Sequence, residues 1–319
     1  MTNAILHQRR PGLIGLDWGT THLRAYRYGD AGTVLESRAL SYGIRQLPSG
    51  GFTQAFEEAT ASWPEAPVIA CGMVGSRNGW CETPYIDTPA DVSRLAHALT
   101  LLSLPDGRTL HLVSGLRDPE RPDVMRGEET QILGVLAQHT DVPWSGTLLL
   151  PGTHSKWVRI TESVVTGFAT MMTGELYGLL SRHSILGGAP ADAAHDDAAF
   201  QQGVRAARDS GAAGALSILF SARALMLDGA LTSDAVPSYL SGLLIGDELR
   251  AAIAAGWADA ALPVQMVGSM ALCQRYADAA GVFGLRLRQA PENITAQGLW
   301  RVAAAAGLID HASTRVPTP

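Results

Sequence analysis

Two short polar segments carry the residue types that bind phosphate groups. Asp17-Trp18-Gly19-Thr20-Thr21 follows the apolar run Leu13 to Leu16, and Pro151-Gly152-Thr153-His154-Ser155-Lys156 follows the run Thr147 to Leu150. Each run is typical of a short buried strand that ends in a turn. Glycine lets the backbone approach a ligand closely, while hydroxyls and backbone N–H groups donate hydrogen bonds to phosphate oxygens. The pattern therefore predicts two phosphate-binding turns.

The two turns differ in charge. Asp17 can hold Mg²⁺ directly or through water, because Mg²⁺ takes one or two carboxylates together with waters and phosphate oxygens. The second turn offers donors only. Lys156, the only lysine in the chain, can place a positive charge on a transferred phosphoryl group. The alternatives are an ordinary β-turn at Asp17 and a solvated strand lysine at Lys156.

A pair of acids opens a predicted helix directly after Arg126 and Gly127. Transfer of a phosphoryl group to a hydroxyl releases a proton, which a carboxylate can accept. Glu128 or Glu129 could be this base or a metal ligand, and the sequence leaves open which one. Both could instead be first-turn acids that favour the helix dipole. Weaker carboxylate candidates are Asp87 and Glu175.

The elements that must position these residues repeat along the chain. In the first half, three strands between residues 13 and 40 precede a helix, a strand, a helix, a strand and a helix that ends near residue 138. From residue 147 the order βββαβαβα recurs, with a long helical insertion at about residues 198–256. The repeat predicts an α/β fold of two lobes, residues 1–140 and 141–319. The two turns are expected to face each other across an interlobe cleft.

Local sequence signals predict the boundaries of two helices in this scheme. Asp91 is predicted to cap a helix that extends through Leu102, since an Asp side chain can accept from the first free N–H groups of a helix. The last helix is predicted from Ile294 to Ala306, and it is assigned to the C-terminal lobe.

Both turns resemble the phosphate motifs of the sugar kinase, actin and chaperone ATPase superfamily. The segment Val264-Gln265-Met266-Val267-Gly268-Ser269 resembles its adenosine motif, an apolar strand that ends in small residues. The resemblance implies two ribonuclease-H-like lobes, the actin-like ATPase fold. The chain has no GxxxxGK[ST] segment, so it is not a P-loop kinase.

Four stretches resemble one family of that superfamily, the 2-dehydro-3-deoxygalactonokinases. They are Cys71 to Trp80, Met125 to Gln131, Pro151 to Trp157 and Met172 to Tyr177. The resemblance implies that ATP, with Mg²⁺, donates a phosphoryl group to the terminal C6 hydroxyl of 2-dehydro-3-deoxy-D-galactonate. It also implies a set of ATP- and phosphate-binding residues: Gly19, Thr20, Thr21, Gly152, Thr153, His154, Ser155, Gly268 and Ser269.

The implied substrate carries a carboxylate, which an arginine fork or an amide nest would bind. Arg77 is the first candidate, and Arg24 and Arg126 follow. Trp80 could form one wall of the sugar-acid pocket. An exposed ion pair for each arginine and a packing role for the tryptophan are the alternatives.

Composition narrows the class of protein. The 319 residues are 46% hydrophobic and 17% charged, which predicts two folded domains rather than disorder. The net charge of −6 argues against nucleic-acid binding. We expect no membrane span and no signal peptide, and the three cysteines fit reduced thiols in the cytoplasm. The oligomeric state stays open, with a homodimer as one alternative.

Other functions remain open at this point. The chain could be a kinase for another sugar of the superfamily, although a neutral sugar needs no carboxylate partner such as Arg77. A gluconate-derived epimer of the sugar acid is also open. A nucleotide-switched binding module is a third alternative, but no segment is large enough for an extra peptide-binding domain.

Overall fold

The computed structural model describes residues 12–139, 142–187, 194–291 and 293–309. The described chain divides into two compact units. Unit 1 contains the residues up to Pro143 together with the last helix, and unit 2 is Trp144–Pro291. The first boundary lies close to the predicted one. The last helix differs from the prediction, because it belongs to unit 1 and not to the C-terminal lobe.

Unit 1 is built on a six-stranded sheet. Its strands are β1 Ile14–Trp18, β2 Leu23–Tyr28, β3 Val34–Leu40, β4 Val68–Gly72, β6 Thr100–Ser103 and β7 Thr109–Leu112. They lie in the order β3-β2-β1-β4-β7-β6. β1 and β2 form an antiparallel hairpin, and β4 pairs with β1 in parallel. A buried apolar cluster that includes Leu16, Trp18 and Phe56 packs helix α1, Gly51–Thr60, against this sheet.

The segment from Asp91 to Leu102 in unit 1 differs from the single helix that was predicted there. Asp91 does cap α2, Val92–His97, by accepting from the Arg94 N–H. The helix ends before Leu102, because Thr100–Ser103 pairs antiparallel with β7 as an edge strand. A separate three-stranded sheet was not predicted: it consists of β5 Tyr85–Asp87, β8 Gly115–Asp118 and β9 Asp123–Met125.

Close packing explains why the last helix lies in unit 1. α9, Ile294–Ala305, packs along α3, Glu128–Leu136. Glycines make the contact: a Cβ on Gly134 would lie 1.9 Å from the Ile294 carbonyl oxygen, and one on Gly298 would lie 1.9 Å from that of Thr130. Such a distance excludes any side chain, so the backbones can meet only because both residues are glycine.

Unit 2 repeats the sheet order of unit 1 in a five-stranded sheet, β12-β11-β10-β13-β14. β10 and β11 form the hairpin, and β13 pairs with β10 in parallel. The strands are β10 Gly146–Leu150, β11 Ser155–Thr161, β12 Val164–Met171, β13 Val264–Met266 and β14 Leu287–Gln289. The predicted βββ opening and parallel return are therefore present in both units.

The helices of unit 2 cover its sheet and form the predicted insertion. They are α4 Thr173–His183, α5 Asp197–Asp209, α6 Ser221–Leu227, α7 Val236–Ala254 and α8 Met270–Ala280. α7 is buried around most of its circumference and packs closely along α5, where Gly203 and Gly242 allow the backbones to touch. Among the described residues, no helix is both long and apolar enough to cross a membrane.

Candidate functional site

The carboxylate of Asp17 lies at the end of β1, where the first turn begins. It faces Arg24 of β2, its partner in the hairpin register, with 3.6 Å between Arg24 Nη1 and Asp17 Oδ2. Burial raises the pKa of Asp17, and the Arg24 guanidinium acts in the opposite direction. A partly buried carboxylate is stabilised by any further cation, because a positive charge offsets the loss of hydration. Arg24, predicted to bind substrate, contacts this carboxylate.

The backbone of the first turn is held by the segment after β3. The N–H groups of Ile44 and Arg45 donate to the carbonyls of Gly19 and Thr20, at 3.1 Å and 3.2 Å. Gly43 makes the contact possible, since a Cβ there would lie 2.2 Å from the Thr21 nitrogen. These contacts fix the turn by its carbonyl groups.

Two glycines bring the end of β4 against the start of α3. Gly72 pairs with Trp18 in the parallel ladder and has φ of 93°. Gly127 has φ of 102°, and a Cβ on it would lie 3.3 Å from the Gly72 Cα. Both need the left-handed backbone region that glycine adopts without strain. The contact places Glu128 and Glu129 at the strand ends that carry Asp17 and Cys71.

The two adjacent glutamates have different environments. Glu129 is 1% exposed, and it accepts from the Gly127 N–H at 2.6 Å and the Thr130 hydroxyl at 3.0 Å. Burial, with Glu128 next to it, raises the pKa of Glu129 to about 8. Glu128 is partly exposed and accepts from the Arg126 N–H at 3.0 Å. Two carboxyl groups with unlike environments are suited to unlike roles.

Besides Arg24, the predicted sugar-acid residues are an exposed arginine and two side chains that are held by their neighbours. Arg77 is exposed in the loop after the short 3₁₀ turn Met73–Gly75. Arg126 donates to the Thr83 hydroxyl and to its carbonyl, the latter at 3.0 Å, and lies over the Tyr85 ring. The Trp80 ring stacks on Phe52 at a centroid distance of 5.6 Å, which gives it a packing role.

The weaker acid candidate Asp87 is paired with an arginine. Arg117 binds both of its carboxylate oxygens, with N–O distances of 2.6 Å and 2.9 Å. These hydrogen bonds hold the pKa of Asp87 below its ordinary value. A carboxylate that is already engaged by a bidentate arginine is a poor proton acceptor.

The second turn is held by the start of α4. A Cβ on Gly174 would lie 2.4 Å from the Gly152 carbonyl oxygen, so only glycine allows this approach. The Glu175 N–H donates to the Thr153 carbonyl at 2.9 Å, and its carboxylate contacts His154 Nε2. Within the stretch from Met172 to Tyr177, Gly174 and Glu175 therefore support the turn.

The two residues that follow the turn, Ser155 and Lys156, have buried side chains. Ser155 was predicted to bind phosphate, but its side chain is fully buried and its hydroxyl lies 3.0 Å from the Tyr276 hydroxyl. The alternation of side chains along β11 directs Ser155 into the interior. Lys156 is 5% exposed, and its Nζ donates to Thr170 Oγ1 at 2.7 Å across the β11–β12 pair.

The predicted adenosine residues lie beside the second turn. β13 runs parallel to β10, so both strands end at one edge of the sheet. A Cβ on Gly268 would lie 3.2 Å from Pro151 Cγ. Ser269, exposed, precedes the first residue of α8. The turn, Gly268 and the start of α8 therefore form one edge of unit 2.

Glu248 was not among the predicted site residues. It lies on α7, is 3% exposed, and accepts hydrogen bonds from Trp157 Nε1 at 2.9 Å and the Tyr276 hydroxyl at 2.6 Å. Burial raises its pKa, while its donors act in the opposite direction. One signal was available: Glu248 is the one charged residue among the buried residues of α7.

The chain is similar to known proteins over most of its length. Residues 17–302 match the family described as 2-keto-3-deoxy-galactonokinase. A candidate 2-dehydro-3-deoxygalactonokinase of Rhizobium meliloti strain 1021 is 41% identical, covering 86% of this chain and 90% of the relative. The 2-dehydro-3-deoxygalactonokinase of Escherichia coli K12 is 37% identical, covering 74% of this chain and 78% of the relative.

Solved structures agree in fold. The crystal structure of a candidate 2-dehydro-3-deoxygalactonokinase from Sinorhizobium meliloti is 38% identical with a TM-score of 0.83, covering 92% of this chain and 98% of that one. Component A of the Acidaminococcus fermentans (R)-2-hydroxyglutaryl-CoA dehydratase is 13% identical with a TM-score of 0.52, covering 93% of this chain and 99% of that one, and shows the shared fold alone. The predicted actin-like ATPase fold is confirmed, and the chain belongs to the 2-keto-3-deoxy-galactonokinase family.

Proposed function

We propose that this chain transfers the γ-phosphoryl group of ATP to the terminal C6 hydroxyl of 2-dehydro-3-deoxy-D-galactonate. The observation that carries the proposal is the family match, because it spans residues 17–302 and so includes both turns that are predicted to bind phosphate. The two curated relatives are described as kinases of this sugar acid. The contacts within each unit suggest how the roles divide.

Unit 2 would bind the nucleotide. Phosphoryl transfer needs positioning and charge stabilisation more than covalent help from the protein. Gly152 leaves open space where a side chain would stand, and Thr153 and His154 are exposed beside it. Gly268 and Ser269 would receive the adenosine at the same sheet edge. Lys156 would supply a fixed positive charge next to Thr170.

Asp17 would hold Mg²⁺. Across the described ranges, no group of three or more His, Cys, Asp or Glu side chains is arranged to hold a metal ion. Magnesium that arrives with ATP needs fewer protein ligands, because phosphate oxygens and waters complete its shell. The partly buried Asp17 carboxylate, whose pKa burial raises, fits such a cation. The bound metal would neutralise charge on the phosphate oxygens.

Glu128 is our choice for the base. At neutral pH Glu129, with a pKa of about 8, mostly keeps its proton and is engaged with the Gly127 N–H. Glu128 is the more exposed of the pair and lies at the same strand ends as Asp17. Its carboxylate would accept the proton of the C6 hydroxyl as the oxygen attacks phosphorus. Glu129 would hold the start of α3 in place.

The carboxylate of the sugar acid would bind Arg77. This arginine is exposed on the loop whose base is formed by Gly75 and Gly79. A Cβ on Gly79 would lie 2.1 Å from the Val74 carbonyl oxygen, so the loop can turn this sharply only with glycine. Arg126 and Trp80 are held by Thr83 and Phe52 and would shape the base of that loop. A role for Arg24 in substrate binding stays a prediction, as does the homodimer.

A coupled ATP-consumption assay over a panel of 2-oxo-3-deoxy sugar acids tests the proposal. We expect the galactonate-derived acid to give the highest kcat/KM, with the gluconate-derived epimer and neutral sugars below it. Arg77→Ala should raise KM for the acid about tenfold or more, because it removes a charge-assisted contact, and leave KM for ATP nearly unchanged. An equal change in both KM values would refute the role of Arg77. Activity on neutral sugars alone would refute the substrate.

A further inference from the structure

The carboxylate of Glu248 collects hydrogen bonds from three separate elements of unit 2. Trp157 of β11 donates to Oε1 at 2.9 Å, Tyr276 of α8 donates to Oε2 at 2.6 Å, and the Thr173 hydroxyl at the start of α4 also donates to Oε2. Ser155 joins through the Tyr276 hydroxyl, at 3.0 Å. We call these five residues the Glu248 network.

Burying an acidic side chain in a protein core has a high desolvation free energy. An ionised carboxylate loses its hydration on burial, and packed apolar residues of the same volume often stabilise a fold as well or better. The donors to Glu248 are hydroxyl and indole groups on three different elements, so each hydrogen bond ties one element to the same carboxylate. Such an arrangement gives orientation of the donors rather than net stability.

Two members of the network adjoin the second turn. Ser155 follows His154 directly, so its burial fixes the C-terminal end of the turn. Thr173 precedes Gly174 and Glu175, which touch the turn through the Gly152 carbonyl contact and the hydrogen bond to the Thr153 carbonyl. Glu248 is thus connected to the turn through Ser155 at its C-terminal end and through Thr173 at the start of α4.

We propose that Glu248 is a positioning residue for the nucleotide phosphates, acting through Ser155 and Thr173 on the turn Pro151–His154. The inference rests on the proposed function in one respect, that this turn binds ATP. Glu248 itself is 3% exposed and would not touch the ligand. The proposal extends the site by a residue that lies about a hundred positions away from the turn in sequence.

Tyr276→Phe is the mildest way to break the network, because it removes one hydroxyl and keeps the ring. Tyr239→Phe is a matched control: Tyr239 is a second buried tyrosine of unit 2, and its hydroxyl lies 2.7 Å from the Ser221 hydroxyl, in the α6–α7 packing. Glu248→Gln is the stronger variant. Its amide NH₂ group would have to face the Tyr276 and Thr173 hydroxyls if its oxygen accepts from Trp157.

Calorimetric titration with a non-hydrolysable ATP analogue, alongside melting curves, gives the test. We expect the Kd to rise about threefold for Tyr276→Phe and about tenfold for Glu248→Gln, and to stay unchanged for Tyr239→Phe at a similar loss of melting temperature. KM for the sugar acid should change less than twofold in all three variants.

Equal Kd values in Tyr276→Phe and Tyr239→Phe would overturn the inference, as would an equal rise in the KM values of both substrates. Failure of the proposed function looks different. In that case the wild-type protein would bind the nucleotide analogue but phosphorylate no sugar acid, and the Kd comparison would still decide the role of Glu248.

Discussion

The two turns share a strand topology but are supported in different ways. In unit 1, backbone N–H groups of Ile44 and Arg45 hold the turn by its carbonyls, and the acid Asp17 lies at the strand end. In unit 2, the buried Glu248 is connected to the turn through Ser155 and Thr173, and the exposed Glu175 contacts His154 of the turn. The strand-end acid of unit 1 is therefore paired with an arginine, whereas the acids beside the second turn are engaged by hydroxyl, indole and imidazole groups. The difference suits the proposed roles, in which unit 1 holds a metal and the turn of unit 2 donates to phosphate.

The largest effect should come from removing the strand-end acid of unit 1. Asp17→Asn keeps the shape but removes the charge that would hold Mg²⁺, so kcat should fall about a thousandfold, a typical size for lost transition-state charge stabilisation. The melting temperature should change little, because removing the carboxylate also removes the free-energy cost of its desolvation. Steady-state rates at saturating ATP and sugar acid give kcat and check this expectation.

Asp106→Asn is the matched control for that variant. Asp106 is an exposed acid of unit 1, paired with Arg108 at 2.7 Å. Its substitution should leave kcat within twofold. A kcat of Asp17→Asn above a tenth of the wild-type value would contradict the metal-binding role.

The next effect separates the two glutamates of unit 1. Glu128→Gln should lower kcat about a hundredfold with KM for ATP nearly unchanged, because a general base contributes on that order. Glu129→Gln should cost less than tenfold, since a protonated carboxyl and an amide can both accept from the Gly127 N–H. Steady-state kinetics of both variants decide between them. The reverse order of effects would move the base to Glu129.

A smaller effect tests the support of the second turn. Gly174→Ala puts a Cβ 2.4 Å from the Gly152 carbonyl oxygen, so the backbone must shift, and KM for ATP should rise about tenfold. Gly178→Ala on the same helix is the control. Its Cβ would meet only the flexible end of Arg182, and KM should stay within twofold. Similar KM values for ATP in the two variants would contradict a role of the second turn in ATP binding.

The last effect is on stability rather than on the rate, and it depends on pH. Between its ordinary pKa of 4.5 and its folded pKa of about 8, Glu129 is ionised in the unfolded chain but protonated in the fold. Its raised pKa therefore destabilises the fold as pH increases through this window, by about 1.4 kcal/mol per pH unit at most. Glu129→Gln removes this dependence. Chemical denaturation at pH 5 and pH 8 should show the variant gaining on the wild type at the higher pH.

Local patterns predicted most of the strands, both turns and the family, because each depends on residues close together in sequence. The family and the fold are confirmed. The features that were missed depend on distant pairing: Thr100–Ser103 becomes a strand only beside β7, and α9 joins unit 1 only through the Gly134 and Gly298 contacts. Ser155 was predicted to bind phosphate because no residue near it in sequence indicates its contact with the distant Tyr276 or its connection to Glu248. The roles of individual site residues remain predictions.

Identification of the phosphorylated product tests the central claim most directly. Wild-type protein, ATP, Mg²⁺ and ¹³C-labelled 2-dehydro-3-deoxy-D-galactonate would be incubated and followed by ¹³C and ³¹P NMR. We predict a single phosphate monoester whose phosphorus couples to C6. Phosphorus coupled to a different carbon, or ADP released together with inorganic phosphate and unchanged sugar acid, would contradict the account.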